Sequence, residues 1–157
     1  MMKTFSNSIL MGTLGAMAVF ISFSLQWPTW VLFVAWVSYY LFGMSIKASA
    51  KTLLNITAGF FMGMLITTVA AVLPEQLGRF SLPITVFICI SFLPYLSKIK
   101  GLNNIPAWFL GLIVYFGVHP TLAFQPIFDI FISLVAGFAF AFLNHRATNL
   151  TSRIVKN

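Results

Sequence analysis

Charge is scarce in this chain: 7% of its residues are Asp, Glu, Lys or Arg, and only two of those are acidic. A soluble domain carries roughly a quarter charged residues to keep its surface wet, so an aqueous surface is excluded. Cysteine is almost absent. Cys89 stands alone inside an apolar segment, which rules out an internal disulfide and a thiolate metal cluster and leaves a buried, inert thiol as the expectation. The parts of common active sites are missing as well: no H-E-x-x-H, no phosphate-cradling Gly-Lys-Ser/Thr loop and no His or Cys cluster at ligand spacing. The two carboxylates, Glu75 and Asp129, could make an acid–base pair only without support from their context, and Glu75 near Arg79 reads as a solvated loop pair. Catalysis, a cofactor and a bound metal are therefore not expected.

What the chain does have is apolar surface. Sixty per cent of it is hydrophobic, with 18 Phe, seven Met and four Trp, and the mean hydropathy is +0.98. So much apolar area cannot all be packed inside a 17.5 kDa globule, and acyl chains are the natural surroundings. The formal charge of +7 comes from nine basic residues scattered singly. They form no dense patch with interleaved aromatics, so nucleic acid is not an expected partner.

Spanning helices need about 20 apolar residues, somewhat fewer with interfacial anchors, and 157 residues hold about six. The segments expected are Ser8–Leu25, Trp27–Ser45, Thr52–Leu73, Leu82–Ser97, Ile105–Val118 and Thr121–Leu143. The fold class is thus all-α, a polytopic membrane helix bundle forming one membrane domain over 1–157. Trp27-Pro28 reads as a helix start, because Pro in the first turn costs no hydrogen bond. The fifth segment is short enough to be tilted or re-entrant. The lysine-rich link KIKGLNN is expected to be flexible, and the tail after Leu143 to be polar and frayed. The N-terminal run has the look of a signal peptide but no clear small-x-small site, and is expected to be the first span.

Charge placement favours six crossings over five. With the N-terminus cytoplasmic, Lys3, Lys47, Lys51, Lys98, Lys100, Arg146, Arg153 and Lys156 fall on one side, and Arg79 with Glu75 on the other. This is the positive-inside pattern, with both termini in the cytoplasm of a bacterial inner membrane. His119 and His145 then lie on opposite sides and cannot share one metal.

An internal repeat is suggested at an offset of 78 residues: Pro28, Trp30 and Leu32 align with Pro106, Trp108 and Leu110, and Ala58-Gly59-Phe60 with Ala136-Gly137-Phe138. Halves of 1–78 and 79–157 with three spans each would be oppositely oriented, a 3+3 inverted repeat of the kind found in transporters.

The stretch from Trp27 through Tyr39-Tyr40-Leu-Phe-Gly43 and Lys47 into the Gly59-rich third segment, with the run PAWFLGLIVYFG from Pro106 to Gly117, resembles the YcdZ-like bacterial inner-membrane proteins of unknown function. The resemblance implies a small multi-span inner-membrane protein and carries no activity with it.

Chemistry can reside in few places. Asp129 is the one acidic residue within an apolar segment: deep in hydrocarbon it would mark function, whereas in a first helical turn near the headgroups it would merely suit the helix dipole. Asn55 reads first as interhelical glue and second as a solute contact. Gly12 with Ala16, Gly59 with Gly63, and Gly137 with Ala141 form small-x-x-x-small faces that permit close helix packing. Pro28-x-Trp30 and Pro106-x-Trp108 are either interfacial helix starts or the openings of two half-helices at a solute path. The function expected is a small channel or facilitator for a neutral or weakly polar solute, along a path drawing on Asp129, Asn55, Thr57, Ser133, Trp30, Trp108, Pro28 and Pro106. The alternative is a non-transporting accessory protein that binds a membrane protein or lipid. Beyond the bilayer, a homo-oligomer is expected.

Overall fold

A computed structural model describes the backbone of residues 2–154 and the side chains of residues 4–151. The basic positions Lys3, Arg153 and Lys156 thus lie outside the described side chains. The described chain is all-α: α1 Met2–Ser24, α2 Thr29–Phe42, α3 Ile46–Val72, a 3-10 helix Glu75–Phe80, α4 Ser81–Leu96, α5 Ile105–Val118 and α6 Phe124–Ile154. Helices are the element such a sequence must choose, because in an apolar medium each peptide group has to be bonded within its own coil. Among the described residues, four stretches are long and apolar enough to cross a membrane: Thr4–Ser24, Ile46–Val72, Glu75–Leu96 and Phe124–Thr151. The other two, α2 and α5, have 14 residues each and extend only about 21 Å.

Local chemistry sets the boundaries. Pro28 caps α2, and the Ser22 and Thr29 hydroxyls bond at 2.7 Å across the turn from α1. Asn104 caps α5 by accepting the Ala107 amide, with Pro106 in the first turn. Gly43, at φ 128, stops α2 three residues short of the expected Ser45, and His119, at φ 50, stops α5. Two expectations need correction. The tail after Leu143 continues α6 to Ile154, because Asn144 and His145 are tied to α2 by hydrogen bonds. The KIKGLNN link is anchored rather than loose: buried Asn55 donates to the Gly101 carbonyl at 2.7 Å and accepts the Asn104 amide at 3.1 Å.

The chain folds as two compact units, residues 1–50 with 120–157, and residues 51–119. These do not coincide with the halves 1–78 and 79–157. The first unit holds α1, α2 and α6; the second holds most of α3 with α4 and α5. In the first, α2 and α6 run parallel: Gly137 meets the Leu32 backbone, Trp36 stacks on Phe140 at 6.0 Å, and Tyr39 reaches His145. α1 runs against them, its Asn7 and Met11 sharing a cavity with Asn144 and Thr148. In the second unit α5 lies parallel to α3, with Trp108 against Gly59, and Tyr115 against Gly63 and Thr67. α4 completes that core, where Leu93, Val86, Ile90 and Cys89 pack on Met62, Ile66, Trp108 and Leu112.

Candidate functional site

The same interlock builds both units. The residues buried on α2 are Val31, Leu32, Ala35, Trp36, Ser38 and Tyr39, and on α5 they are Ala107, Trp108, Gly111, Leu112, Val114 and Tyr115. Each is 76 positions from its counterpart. On the long helices, Ile130, Ser133, Leu134, Gly137, Phe138, Ala141 and Asn144 are buried on α6. Seventy-eight positions earlier, Thr52, Asn55, Ile56, Gly59, Phe60, Gly63 and Ile66 are buried on α3. The difference of two residues arises in the links, 43–45 after α2 and 119–123 after α5. Small residues at the crossings make the fit possible. A β-carbon at Gly59 would overlap the Trp108 carbonyl, one at Gly111 the Ile56 carbonyl, and one at Gly137 the Leu32 carbonyl, so only glycine allows such close backbones.

This register corrects one alignment. Trp108 corresponds to Leu32 rather than Trp30: its indole is buried and donates to the Leu102 carbonyl at 2.9 Å, whereas Trp30 is exposed. Pro28 is half-buried and Pro106 exposed. Asn55 uses its remaining N–H on the Lys51 carbonyl at 2.7 Å, so its amide is committed to holding the link. Ser133 is buried and donates to the Asp129 carbonyl within α6. Asp129 lies in the second turn of α6, half-buried, accepting from Gln125 at 2.9 Å. Thr57 is half-buried on α3. Gly59 and Gly63 sit at the α3–α5 crossing, and Gly137 and Ala141 on the buried face of α6. Gly12 and Ala16 lie on an exposed face of α1, and a β-carbon at Gly12 would touch nothing within 4 Å.

The polar groups that do converge are others. At the end of α2 two adjacent tyrosines reach α6: the Tyr39 hydroxyl lies 2.8 Å from Nδ1 of His145, and Tyr40 accepts from Nδ2 of Asn144 at 2.8 Å. On one side of this clasp opens a cavity of about 350 Å³ lined by Asn7, Met11, Tyr40, Asn144, His145 and Thr148. On the other lies one of about 290 Å³, whose wall includes Ser45, His145, Arg146 and Asn149. Asn144 is almost fully buried, yet its carboxamide oxygen has no hydrogen-bond partner, and neither has that of Asn7. Nothing in the sequence reading joins these residues: Tyr39-Tyr40 enters only through the family resemblance, and His145 only as a residue on the side opposite His119. The cluster's signal was the pair Tyr39-Tyr40 answered by the pair Asn144-His145 in otherwise apolar helices.

The model of a family described as protein of unknown function, DUF1097, matches residues 8–149. The chain belongs to the DUF1097 family. The match takes in α2 to α5, most of α1 and α6 and both ends of the tyrosine clasp, so the two-unit fold described above is that of a DUF1097 protein. No curated protein and no solved structure matches the chain.

Proposed function

We propose that this DUF1097 chain is a non-enzymatic facilitator that lets a small neutral or weakly polar solute cross the bacterial inner membrane. The observation that carries this reading is the repeated register of the two short–long helix pairs. It supports a duplicated, 3+3 architecture in which the copies would be inverted, as in many transporters. A 14-residue helix falls short of a hydrocarbon core about 30 Å thick. Its last carbonyls must then be covered by protein or by a water-lined path, and pairing one such helix with a long one in each unit is an arrangement suited to a conduit. The scarcity of charge suits uncharged cargo.

The charge asymmetry supports cytoplasmic termini. The fold of the first unit supports the placing of both ends on one side, since Asn7 of α1 and Thr148 of α6 line a single cavity. The resemblance to YcdZ-like proteins agrees with the inner membrane. A homo-oligomer is part of the proposal, since the exposed α1 face with Gly12 and Ala16 is free for a second copy. That same face favours the second reading, an accessory protein docked on another membrane protein.

Proteoliposome swelling separates the two. Purified protein should accelerate swelling in glycerol or acetamide several-fold over protein-free vesicles, and leave permeation by sodium acetate or lysine unchanged. Swelling rates equal to those of empty vesicles for every neutral solute would leave the accessory reading standing.

A further inference from the structure

Arg146 lines the cavity of about 290 Å³ on the far side of the clasp, together with Ser45, Ile46, Phe142, His145 and Asn149. Its guanidinium sits over the Phe142 ring, 5.2 Å from the centroid. The two acidic side chains of the protein are placed elsewhere: Asp129 is 17 positions earlier on α6, about 25 Å along its axis, and Glu75 follows the opposite end of α3. Ser45 accepts the Ala48 amide at 3.2 Å, so the wall facing α6 is the start of a helix, an end that favours negative charge. Packing does not call for the cation. Seventy-eight positions before Arg146 and Asn149 stand Thr68 and Ala71, equally exposed on α3, and the second unit keeps the helix interlock with them.

A second hollow, of about 190 Å³, adjoins the first. It shares Ile46 and Phe142 with it and continues along Ser49, Phe138 and Ala139. Phe138 precedes Arg146 by eight positions, about 12 Å of helix. One face of α6 therefore runs from an apolar trough to a cationic, hydrogen-bonding end, and Arg146 stands over the ring that both hollows share.

We infer that the two hollows together seat one anionic phospholipid, its phosphate against Arg146, Asn149 and Ser45 and an acyl chain along Ile46, Phe138 and Ala139. A phosphate diester offers acceptors to a guanidinium, a carboxamide N–H and a hydroxyl at once. The trough gives the chain an apolar bed, which a soluble phosphate ester would leave empty. A zwitterionic lipid brings its own ammonium to the same place and so gains less from Arg146. The site is independent of what the chain passes across the membrane, and holds for a conduit and an accessory protein alike.

The test uses the full chain in detergent, with phosphatidylglycerol, phosphatidylcholine of the same acyl chains and glycerol phosphate as probes. The rise in melting temperature with added probe reports binding. Phosphatidylglycerol should stabilise saturably, at about fivefold to tenfold lower concentration than phosphatidylcholine, the preference that one basic group gives for anionic lipid. Arg146→Gln and Asn149→Asp, both at exposed positions, should each cut that preference to below about twofold. Lys100→Gln, also exposed, removes an equal charge from the 98–104 link and should leave the preference intact. Ala139→Trp, exposed as well, fills the trough and should weaken both lipids. Glycerol phosphate should give no saturable rise at concentrations that suffice for the lipid. Equal affinity for the two lipids overturns the site. So does a preference that survives Arg146→Gln, or one that Lys100→Gln removes to the same extent, the mark of diffuse surface charge. Stabilisation by glycerol phosphate that matches the lipid and ignores Ala139→Trp would assign the cavity to a soluble phosphate ester and overturn the lipid.

Discussion

Tyr39 and Tyr115 are counterparts: each takes the amide of the positive-φ residue that ends its helix on its own carbonyl, Gly43 for one and His119 for the other. Each then meets a polar side chain on the parallel long helix, His145 for Tyr39 and Thr67 for Tyr115. These partners are themselves 78 residues apart, so the correspondence extends from backbone register to individual hydroxyls. Equal geometry predicts equal energetics. Tyr39→Phe and Tyr115→Phe keep the ring and remove one bond, and each should lower stability by about 1 kcal/mol. Thermal unfolding in detergent checks this, and a variant that unfolds outright while its counterpart is silent would contradict the equivalence.

The glycine crossings predict a sharper contrast. Gly59→Ala, Gly111→Ala and Gly137→Ala each drive a methyl into a carbonyl of the facing helix. Backbone cannot rotate away as a side chain can, so the helices must separate, at a cost of about 3 kcal/mol or more, the upper range of overpacking. Within one chain Gly12→Ala meets nothing within 4 Å, so the fold of the monomer should be unchanged or gain up to about 1 kcal/mol through helix propensity, and any loss would fall on the proposed contact with a second copy. Yield of monodisperse protein and unfolding temperature separate the two classes.

The sequence carried the fold class, all six helices and the long-helix register, because those follow from the amount and spacing of apolar residues. Gly59 and Gly137 could be aligned since both long helices are ungapped over that stretch. The short helices were aligned two residues out, by matching Pro-x-Trp, because nothing local reveals that the links after α2 and α5 differ in length. The Tyr39–His145 and Tyr40–Asn144 pairs were illegible for another reason: their partners are 106 and 104 residues apart, and only tertiary packing of α2 on α6 unites them. The helical course of the tail depended on the same packing.

Asn55 predicts a local failure rather than a global one. Asn55→Leu leaves the Gly101 carbonyl and the Asn104 amide without their buried partner, at about 1–3 kcal/mol for each group that water cannot reach. The 98–104 link should loosen before α3 and α5 part. Lys98 and Lys100 are exposed there, so trypsin should cleave the variant at these positions several-fold faster than the parent protein. Unchanged cleavage would mean that the link is held by other contacts.

The two short helices decide the topology. If α2 and α5 cross despite a length of about 21 Å, the links around residues 76 and 103 lie on opposite sides, and residue 149 shares a side with residue 103. If α5 turns back instead, 149 and 103 are separated by the single crossing of α6. In a Cys89→Ala background, Gln76→Cys, Asn103→Cys and Asn149→Cys place a thiol at three exposed positions. A membrane-impermeant maleimide added to intact spheroplasts should label position 76, and reach 103 and 149 only after permeabilisation. Lysines 98 and 100 beside position 103 and Arg146 near 149 favour that outcome, because cationic side chains are retained on the cytoplasmic face. Labelling of 149 but not 103 in intact spheroplasts would instead make α5 re-entrant and move the C-terminal end outside. The inverted-repeat architecture could not survive that result, since inversion requires an odd number of crossings in each half.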